Sequence, residues 1–259
     1  MKSILICEGK TELILLSYYL GKVYGWESTE ISKNFGKYDS RKKPRLKKEH
    51  QQEQEWYILN EDMLSLFSAG GNNRIAKVFE DILKNQSFAS DEPFERIVIM
   101  TDRDDERVEE ELLKRIRQLC SEYSVTLHNE LQNRRWCAAS YENNGDERCM
   151  KILPMIIPFQ ETGTIETFLL KCVKEQEEEL VNQCTGFVDG LCAIDSIKER
   201  YLKSRGVIPK AKFSTYFAIV SPNRTFAEGD RILKSIPWER YKETQETFDS
   251  LKDLQSEPT

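Results

Sequence analysis

Acidic residues stand just after short apolar runs of this sequence, where their carboxylates could bind a divalent cation. The five residues of this kind are Glu8, Glu12, Asp102, Asp104 and Glu166. Alternation along an extended segment puts Asp102 and Asp104 on one side, and Glu8 and Glu12 lie about one helical turn apart. Crowded carboxylates repel one another unless a cation or a shared proton lies between them. Magnesium, which prefers hard oxygen ligands, is the cation that this pattern favours.

Each acid also has a purely structural explanation. Glu8 and Glu12 could simply favour the positive end of a helix. The segment 102–105 could be a polar turn with a helix N-cap, and Glu166 could be an exposed acid of a first helical turn. The case for a site therefore rests on the combination, and an α/β protein with an accidental acid cluster stays an alternative.

The elements that must position these acids alternate between strands and helices. Apolar runs at 3–7, 62–68, 96–101 and 152–157 predict four strands, and helical spacing of apolar residues follows the first three. This order predicts an α/β fold with an open sheet of about four mainly parallel strands, flanked by helices. Pro154 and Pro158 favour an edge position or a bulge for the fourth strand. Acids that follow parallel strands meet at the carboxyl edge of the sheet.

The other segments do not continue this alternation of strands and helices. Residues 121–150 are polar and show no clear pattern, 215–220 are predicted to form a strand, and a last helix is predicted from about 238 to 254. We expect one main domain at 1–172 and a mostly helical extension at 173–259 that packs on it. A basic, polar insertion at 30–57 could contact a phosphate backbone, with Trp56 and Tyr57 stacking on bases, or could be a solvated loop.

Composition excludes several classes of function. The net charge of −6 argues against a protein that coats nucleic acid through bulk positive charge. Seven cysteines without a Cys-x-x-Cys pair indicate reduced thiols, and two histidines leave little for a zinc site or a Ser-His-Asp hydrolase. The apolar run before Glu8 is too short for a signal peptide or a membrane span. We expect a cytoplasmic protein without a membrane partner.

Two segments resemble the motifs of the TOPRIM domain, a Rossmann-like fold. Residues 4–12 end in Glu-Gly-Lys-Thr-Glu and are similar to the first TOPRIM motif, and residues 97–104 end in Asp-Arg-Asp and are similar to the second. The glycine turn at 69–73 matches the turn that often precedes the second TOPRIM helix. Position 106 holds Glu106, so the third aspartate of the topoisomerase pattern is missing.

Within this superfamily, residues 163–170 resemble a segment of small OLD-like TOPRIM nucleases. The resemblance implies that Glu8 is a general acid/base or a metal ligand, and that Glu12, Asp102 and Asp104 are ligands. It also implies that Thr164 and Glu166 complete a second metal site, and that Lys210 or Lys212 is the catalytic lysine. Two Mg²⁺ or Mn²⁺ ions would then serve phosphodiester hydrolysis.

The function that follows is a metal-dependent phosphodiester hydrolase, a DNA or RNA nuclease of TOPRIM type, as an effector in defence or RNA processing. The chain has no P-loop of the form G-x-x-x-x-G-K-S/T, so an ATPase, if one is needed, is a separate partner. The alternative is a non-catalytic or partner-activated TOPRIM subunit that binds nucleic acid or regulates another protein.

Overall fold

A computed structural model of the chain describes residues 1–29, 53–88, 93–204, 206–224 and 233–256. The chain divides into two compact units. Unit 1 comprises Met1–Thr101, Arg107–Ile156 and Asp249–Thr259, and unit 2 comprises Asp102–Glu106 and Ile157–Phe248. The domain boundary predicted at residues 172 and 173 lies inside unit 2, and most of the predicted basic insertion, residues 30–52, lies outside the described residues.

Eight strands of the described residues form a single mixed sheet, so the α/β class with flanking helices is confirmed. They are β1 (Lys2–Cys7), β2 (Glu27–Ser28), β3 (Glu53–Leu59), β4 (Asp62–Ser68), β5 (Arg96–Asp102), β6 (Thr126–Leu127), β7 (Cys137–Asn143) and β8 (Asp146–Ile157). Their order across the sheet is β2-β3-β4-β1-β5-β8-β7-β6. The expectation of about four mainly parallel strands is wrong, because antiparallel strands extend the sheet on both sides.

The parallel centre of the sheet is buried on both faces. β1 pairs in parallel with β4 on one side and with β5 on the other. Ile4 and Ile6 belong to a buried cluster with residues of two helices, α2 (Asn72–Phe88) and α3 (Val108–Glu122). Leu5 and Cys7 point to the opposite face and are equally buried, and a third helix, α1 (Lys10–Tyr24), contacts β4. Burial on both faces explains why these strands appear in the sequence as unbroken apolar runs.

Tight turns build the antiparallel edges. β3 and β4 pair up to Leu59 and Asp62, and the two-residue connection begins with Asn60 at a φ of 54°. β7 and β8 are joined by Asn144 and Gly145, with φ values of 55° and 86°. Positive φ at both central residues is typical of the type I′ hairpin, which Asn-Gly favours. The polar segment 121–150 thus contains β6, β7 and the start of β8.

β8 is an internal strand, so the edge position, one of the two alternatives that the prolines suggested, is wrong. It lies between β5 and β7. Its register with β7 ends at Ile152, two residues before Pro154, whose carbonyl instead accepts a hydrogen bond from the amide of Arg134 at 2.9 Å. The missing N–H of proline therefore falls beyond the ladder with β7, which is why an internal strand tolerates it.

The described part of unit 2 is helical. Its helices are α4 (Ile165–Lys174), α5 (Glu178–Cys192), α6 (Asp195–Tyr201), α7 (Val207–Val220) and α8 (Lys242–Phe248), with 3-10 turns at Pro222–Arg224 and Trp238–Arg240. The Glu175 carboxylate accepts hydrogen bonds from the amides of Lys242 and Glu243 at 2.9 and 2.8 Å, so it caps the start of α8. Phe168 and Phe248 meet edge to face at 5.9 Å and join α4 to α8.

Two predictions for the C-terminal region are corrected. Residues 215–220 belong to α7 and not to a strand, because Phe213, Tyr216 and Phe217 are buried at helical spacing. The single helix predicted at 238–254 is instead a 3-10 turn, α8 and a second 3-10 helix, Asp249–Leu254. The residues after this helix form hydrogen bonds with unit 1, to which they belong: the Gln255 carbonyl accepts one from the Arg96 side chain at 2.9 Å.

Candidate metal centre

Three of the predicted acids meet at the carboxyl edge of the parallel strands. Glu8 follows β1, Glu12 lies in the first turn of α1, and Asp102 is the last residue of β5. Because β1 and β5 are parallel neighbours, both end at the same edge of the sheet. One carboxylate oxygen from each of the three residues lies within 4.8 Å of the others. We call these residues the acidic triad.

Burial makes the crowding of the acidic triad costly. Glu12 is 4% exposed and Asp102 is 7% exposed, whereas Glu8 is half-buried. Charges removed from water at this separation repel more strongly than they would at the surface. Three carboxylates also offer the hard oxygen ligands that Mg²⁺ and Mn²⁺ prefer. The donor set of the acidic triad therefore fits one divalent cation, and no other group of this kind occurs in the part of the chain that the structure describes.

The glycine turn after β4 holds the loop that carries Glu8. The amides of Gly70 and Gly71 donate hydrogen bonds to the Glu8 carbonyl at 3.0 and 2.9 Å, and the Ala69 amide donates to the Cys7 carbonyl at 2.9 Å. Gly70 and Gly71 have φ values of 78° and 134°, which L-residues rarely adopt. The turn therefore needs glycine in order to present both amides to one carbonyl oxygen.

Thr101 is a residue of the site that the sequence interpretation missed. Its side-chain hydroxyl donates a hydrogen bond to Oε2 of Glu8 at 3.1 Å, and the residue is 1% exposed. Alternation along β5 points Thr101 away from the face of Asp102. A threonine at the end of an otherwise apolar run was the available signal. The bond orients the Glu8 carboxylate from the neighbouring strand.

Close packing also brings Glu12 to the backbone. A Cβ atom added to Gly9 would lie 3.2 Å from Oε2 of Glu12, so the glycine leaves room for the carboxylate.

Burial and, after it, the carboxylates of Glu12 and Glu8 raise the pKa of the Cys7 thiol well above its ordinary value. Burial and the neighbouring carboxylates thus favour the neutral thiol of Cys7 beside the acidic triad.

The other predicted ligands do not belong to the acidic triad. Asp104 is exposed. Thr164 and Glu166 are 8% and 5% exposed in unit 2, where the Thr164 hydroxyl donates a hydrogen bond to Oε2 of Glu166 at 2.8 Å. This pair lies at the start of α4, where the Thr164 amide donates to the Thr167 hydroxyl at 3.2 Å. The structure brings three of the six predicted ligands together.

The predicted lysines lie in α7 of unit 2. Lys212 forms an ion pair with Asp189 at 2.7 Å, and Lys210 is exposed. Lys10, in the motif itself, forms an ion pair with Glu53 at 3.1 Å and is 65% exposed. A catalytic role for Lys210 or Lys212 stays a prediction.

The predicted nucleic-acid contacts are only partly described. The lysines and arginines between residues 33 and 48 lie outside the described residues. Tyr57 is 5% exposed in β3 and donates a hydrogen bond to Glu55, so stacking of this ring on a base is excluded. Trp56 is half-buried in the same strand. Among the described helices, none combines the length and the apolarity needed to cross a membrane.

Comparison with known proteins supports a fold and a family. A crystal structure of a hypothetical protein from Pyrococcus horikoshii OT3 matches with a TM-score of 0.50 and 17% sequence identity, over 98% of each chain. This likeness extends to the fold alone. No curated protein matches the sequence. The family model DUF3226, described as a protein of unknown function, matches residues 2–254, and the chain therefore belongs to the DUF3226 family.

Proposed function

We propose that this protein is a metal-dependent phosphodiester hydrolase that acts on DNA or RNA, with a TOPRIM-type site. The observation that carries the proposal is the acidic triad, with its ligand oxygens within 4.8 Å and two of its three residues buried. Buried carboxylates at this separation are most easily explained by a divalent cation between them. The order of Glu8, Glu12 and Asp102 along the chain is also the order of the acids in the two TOPRIM motifs that the sequence resembles.

Each residue of the acidic triad has a role in this proposal. Glu8, Glu12 and Asp102 would hold Mg²⁺ or Mn²⁺, and the bound ion would lower the pKa of a water molecule and stabilise a leaving oxygen. Glu8, the least buried of the three, would also take a proton from the attacking water, and Thr101 would keep its carboxylate oriented. Thr164 and Glu166 are proposed to contribute to a second ion. Seven unpaired cysteines fit the proposed cytoplasmic location.

The test combines metal binding with cleavage. Purified protein is incubated with plasmid, single-stranded DNA and RNA in Mg²⁺ or Mn²⁺, and Mn²⁺ binding is measured by calorimetry. We expect cleavage of at least one substrate and its loss in Asp102→Asn. Glu106→Gln, an exposed acid near Asp102, is the matched control and should keep full activity. Cleavage that survives in Asp102→Asn would show that the acidic triad is not the active site.

A partner-activated subunit is the second candidate. The observation in its favour is that Lys212, one of the two candidate catalytic lysines that the OLD-like resemblance offers, forms an ion pair with Asp189 at 2.7 Å. Binding of Mn²⁺ without cleavage, followed by cleavage after a co-purifying ATPase is added, would support this candidate. Cleavage by the purified chain alone would refute it.

A further inference from the structure

A cavity in unit 2 lies between α4, α5 and α7. Its volume is about 540 Å³, which is within the usual range of small-ligand clefts, about 300–1,000 Å³. Three lysines line it: Lys171 and Lys174 from α4, and Lys212 from α7. All the lining residues belong to unit 2, and none of them is a residue of the acidic triad. We call it the lysine cavity.

The walls of the lysine cavity combine positive charge with apolar surface. Glu161 is the one acid among its lining residues, and the acids that pair with the three lysines, Glu243, Glu178 and Asp189, are not among them. Leu170 and Val181 are buried beneath it, at 7% and 3% exposure, and Ile208 and Pro209 extend the apolar wall. An ammonium group beside an apolar wall suits a ligand that has an anionic end and an uncharged body.

The ion pairs of two of the lysines can be exchanged for a ligand. Lys174 meets Glu178 at 3.7 Å, and Glu178 is 70% exposed. Lys212 meets Asp189 at 2.7 Å, and Asp189 is 58% exposed. Lys174 is itself 43% exposed, and because exposed ion pairs add little to stability, an incoming phosphate can replace Glu178 at small cost. Lys212 is 23% exposed, and its acid partner is the group of that pair that is open to solvent. Lys171 differs, since its partner Glu243 is only 23% exposed and the pair also joins α4 to α8.

Polar side chains from α5 complete the lysine cavity. Asn182 and Thr185 lie one turn apart and both line it. The carboxamide of Asn182 offers a donor and an acceptor to an uncharged polar group. The lining therefore has ammonium groups for a phosphate, an apolar wall for a ring, and an amide for its polar edge.

From this arrangement we infer that the lysine cavity binds a nucleoside monophosphate, with the phosphate between Lys174 and Lys212 and the base against Leu170 and Val181. The site is a binding site with no reaction assigned to it. It goes beyond the proposed hydrolase activity, because it needs no metal ion and would exist in a protein without that activity.

The test is calorimetric titration of the full chain with adenosine 5′-monophosphate, adenosine and inorganic phosphate, all in EDTA so that no metal bound at the acidic triad contributes. We expect adenosine 5′-monophosphate to bind most tightly of the three, with an affinity that falls as salt is added. Lys174→Met/Lys212→Met should raise its Kd about tenfold or more, as expected for the loss of charge-assisted hydrogen bonds. Lys198→Met, an exposed lysine of α6 outside the cavity, should leave it unchanged.

Asp189→Asn provides a change in the opposite direction, because it removes the acid that competes for Lys212 and should lower the Kd. Thermal unfolding of each variant in EDTA checks that the fold is intact. Absence of saturable binding, or an unchanged Kd in the double variant, would overturn the inference. If adenosine bound as tightly as adenosine 5′-monophosphate, the lysines would have no role in recognition. If inorganic phosphate bound as tightly as adenosine 5′-monophosphate, the apolar wall would have none.

Discussion

Neutralising Asp102 should have opposite effects on stability with and without metal. The carboxylates of the acidic triad lie within 4.8 Å, where two unit charges repel by about 0.9 kcal/mol in water and about 3.5 kcal/mol at an effective dielectric constant near 20. Glu12 and Asp102 are 4% and 7% exposed, so the larger figure is closer for that pair. Asp102→Asn removes two of the three repulsive pairs and keeps one ligand oxygen.

In EDTA, we expect Asp102→Asn to unfold at a higher temperature than the wild type. A relief of even about 1 kcal/mol corresponds to a rise of about 2–4 °C for a chain of this size. With Mg²⁺ at about 100 times its Kd, the wild type gains about 2.7 kcal/mol, or about 5–10 °C, because the ion binds only the folded state. The variant should lose most of that gain.

Differential scanning fluorimetry in EDTA, Mg²⁺ and Mn²⁺ measures both effects. Glu106→Gln, an exposed acid outside the acidic triad, should behave as the wild type in each buffer. Asp104→Asn tests the remaining predicted ligand of the same segment. Equal metal-dependent shifts in the wild type and Asp102→Asn would refute the cation site. A lower melting temperature of that variant in EDTA would refute the repulsion.

Three further predictions concern backbone and thiol positions. Gly71→Ala, at a φ of 134°, should cost about 1–3 kcal/mol in urea unfolding and weaken Mn²⁺ binding, since the turn holds the loop of the acidic triad. Gly163→Ala should lower the free energy of unfolding by about 1–3 kcal/mol, because the new Cβ would lie 2.8 Å from the Thr167 side chain. Gly186→Ala is the control: no atom lies near the added Cβ in this helix, so the variant should raise the free energy of unfolding by about 0.5–1 kcal/mol. Burial raises the pKa of the Cys172 thiol from 9.0 to about 12, so the stability that this thiol contributes is fully present below pH 9.0 and is lost as the pH rises towards 12. Between pH 9 and 10.5, the free energy of unfolding of the wild type, measured in urea, should fall by about 2 kcal/mol more than that of Cys172→Ala.

Periodicity was enough to predict the centre of the sheet. β1, β4 and β5 and the helices that follow them lie where the apolar runs predict them. These strands are covered on both faces, so their sequences carry a strong local signal. The antiparallel strands β3 and β7 were not predicted, because they are polar on one side. Asn144-Gly145 was the one short signal of the β7–β8 hairpin.

The predicted ligands differ in burial, which the sequence pattern did not show. Asp102 and Asp104 alternate correctly in the sequence, but β5 ends at Asp102 and the segment beyond it leaves Asp104 exposed. Thr101 ends an apolar run of the sequence, but its role could not be predicted from that signal, because it depends on the register that brings the hydroxyl to Glu8. The apolar run 215–220 favours a strand locally, and packing against neighbouring helices made it part of α7.

The sequence by itself determined which acids follow buried strands and that glycines follow β4, because both are local patterns of residue type. Tertiary structure decided which of those acids share one volume. That choice depends on the parallel pairing of β1 with β5 and on the two glycine amides that bind the Glu8 carbonyl, and these are contacts between residues more than sixty positions apart. It also placed Lys212 in a cavity of unit 2, since helix packing and not sequence distance determines which cations line a common space.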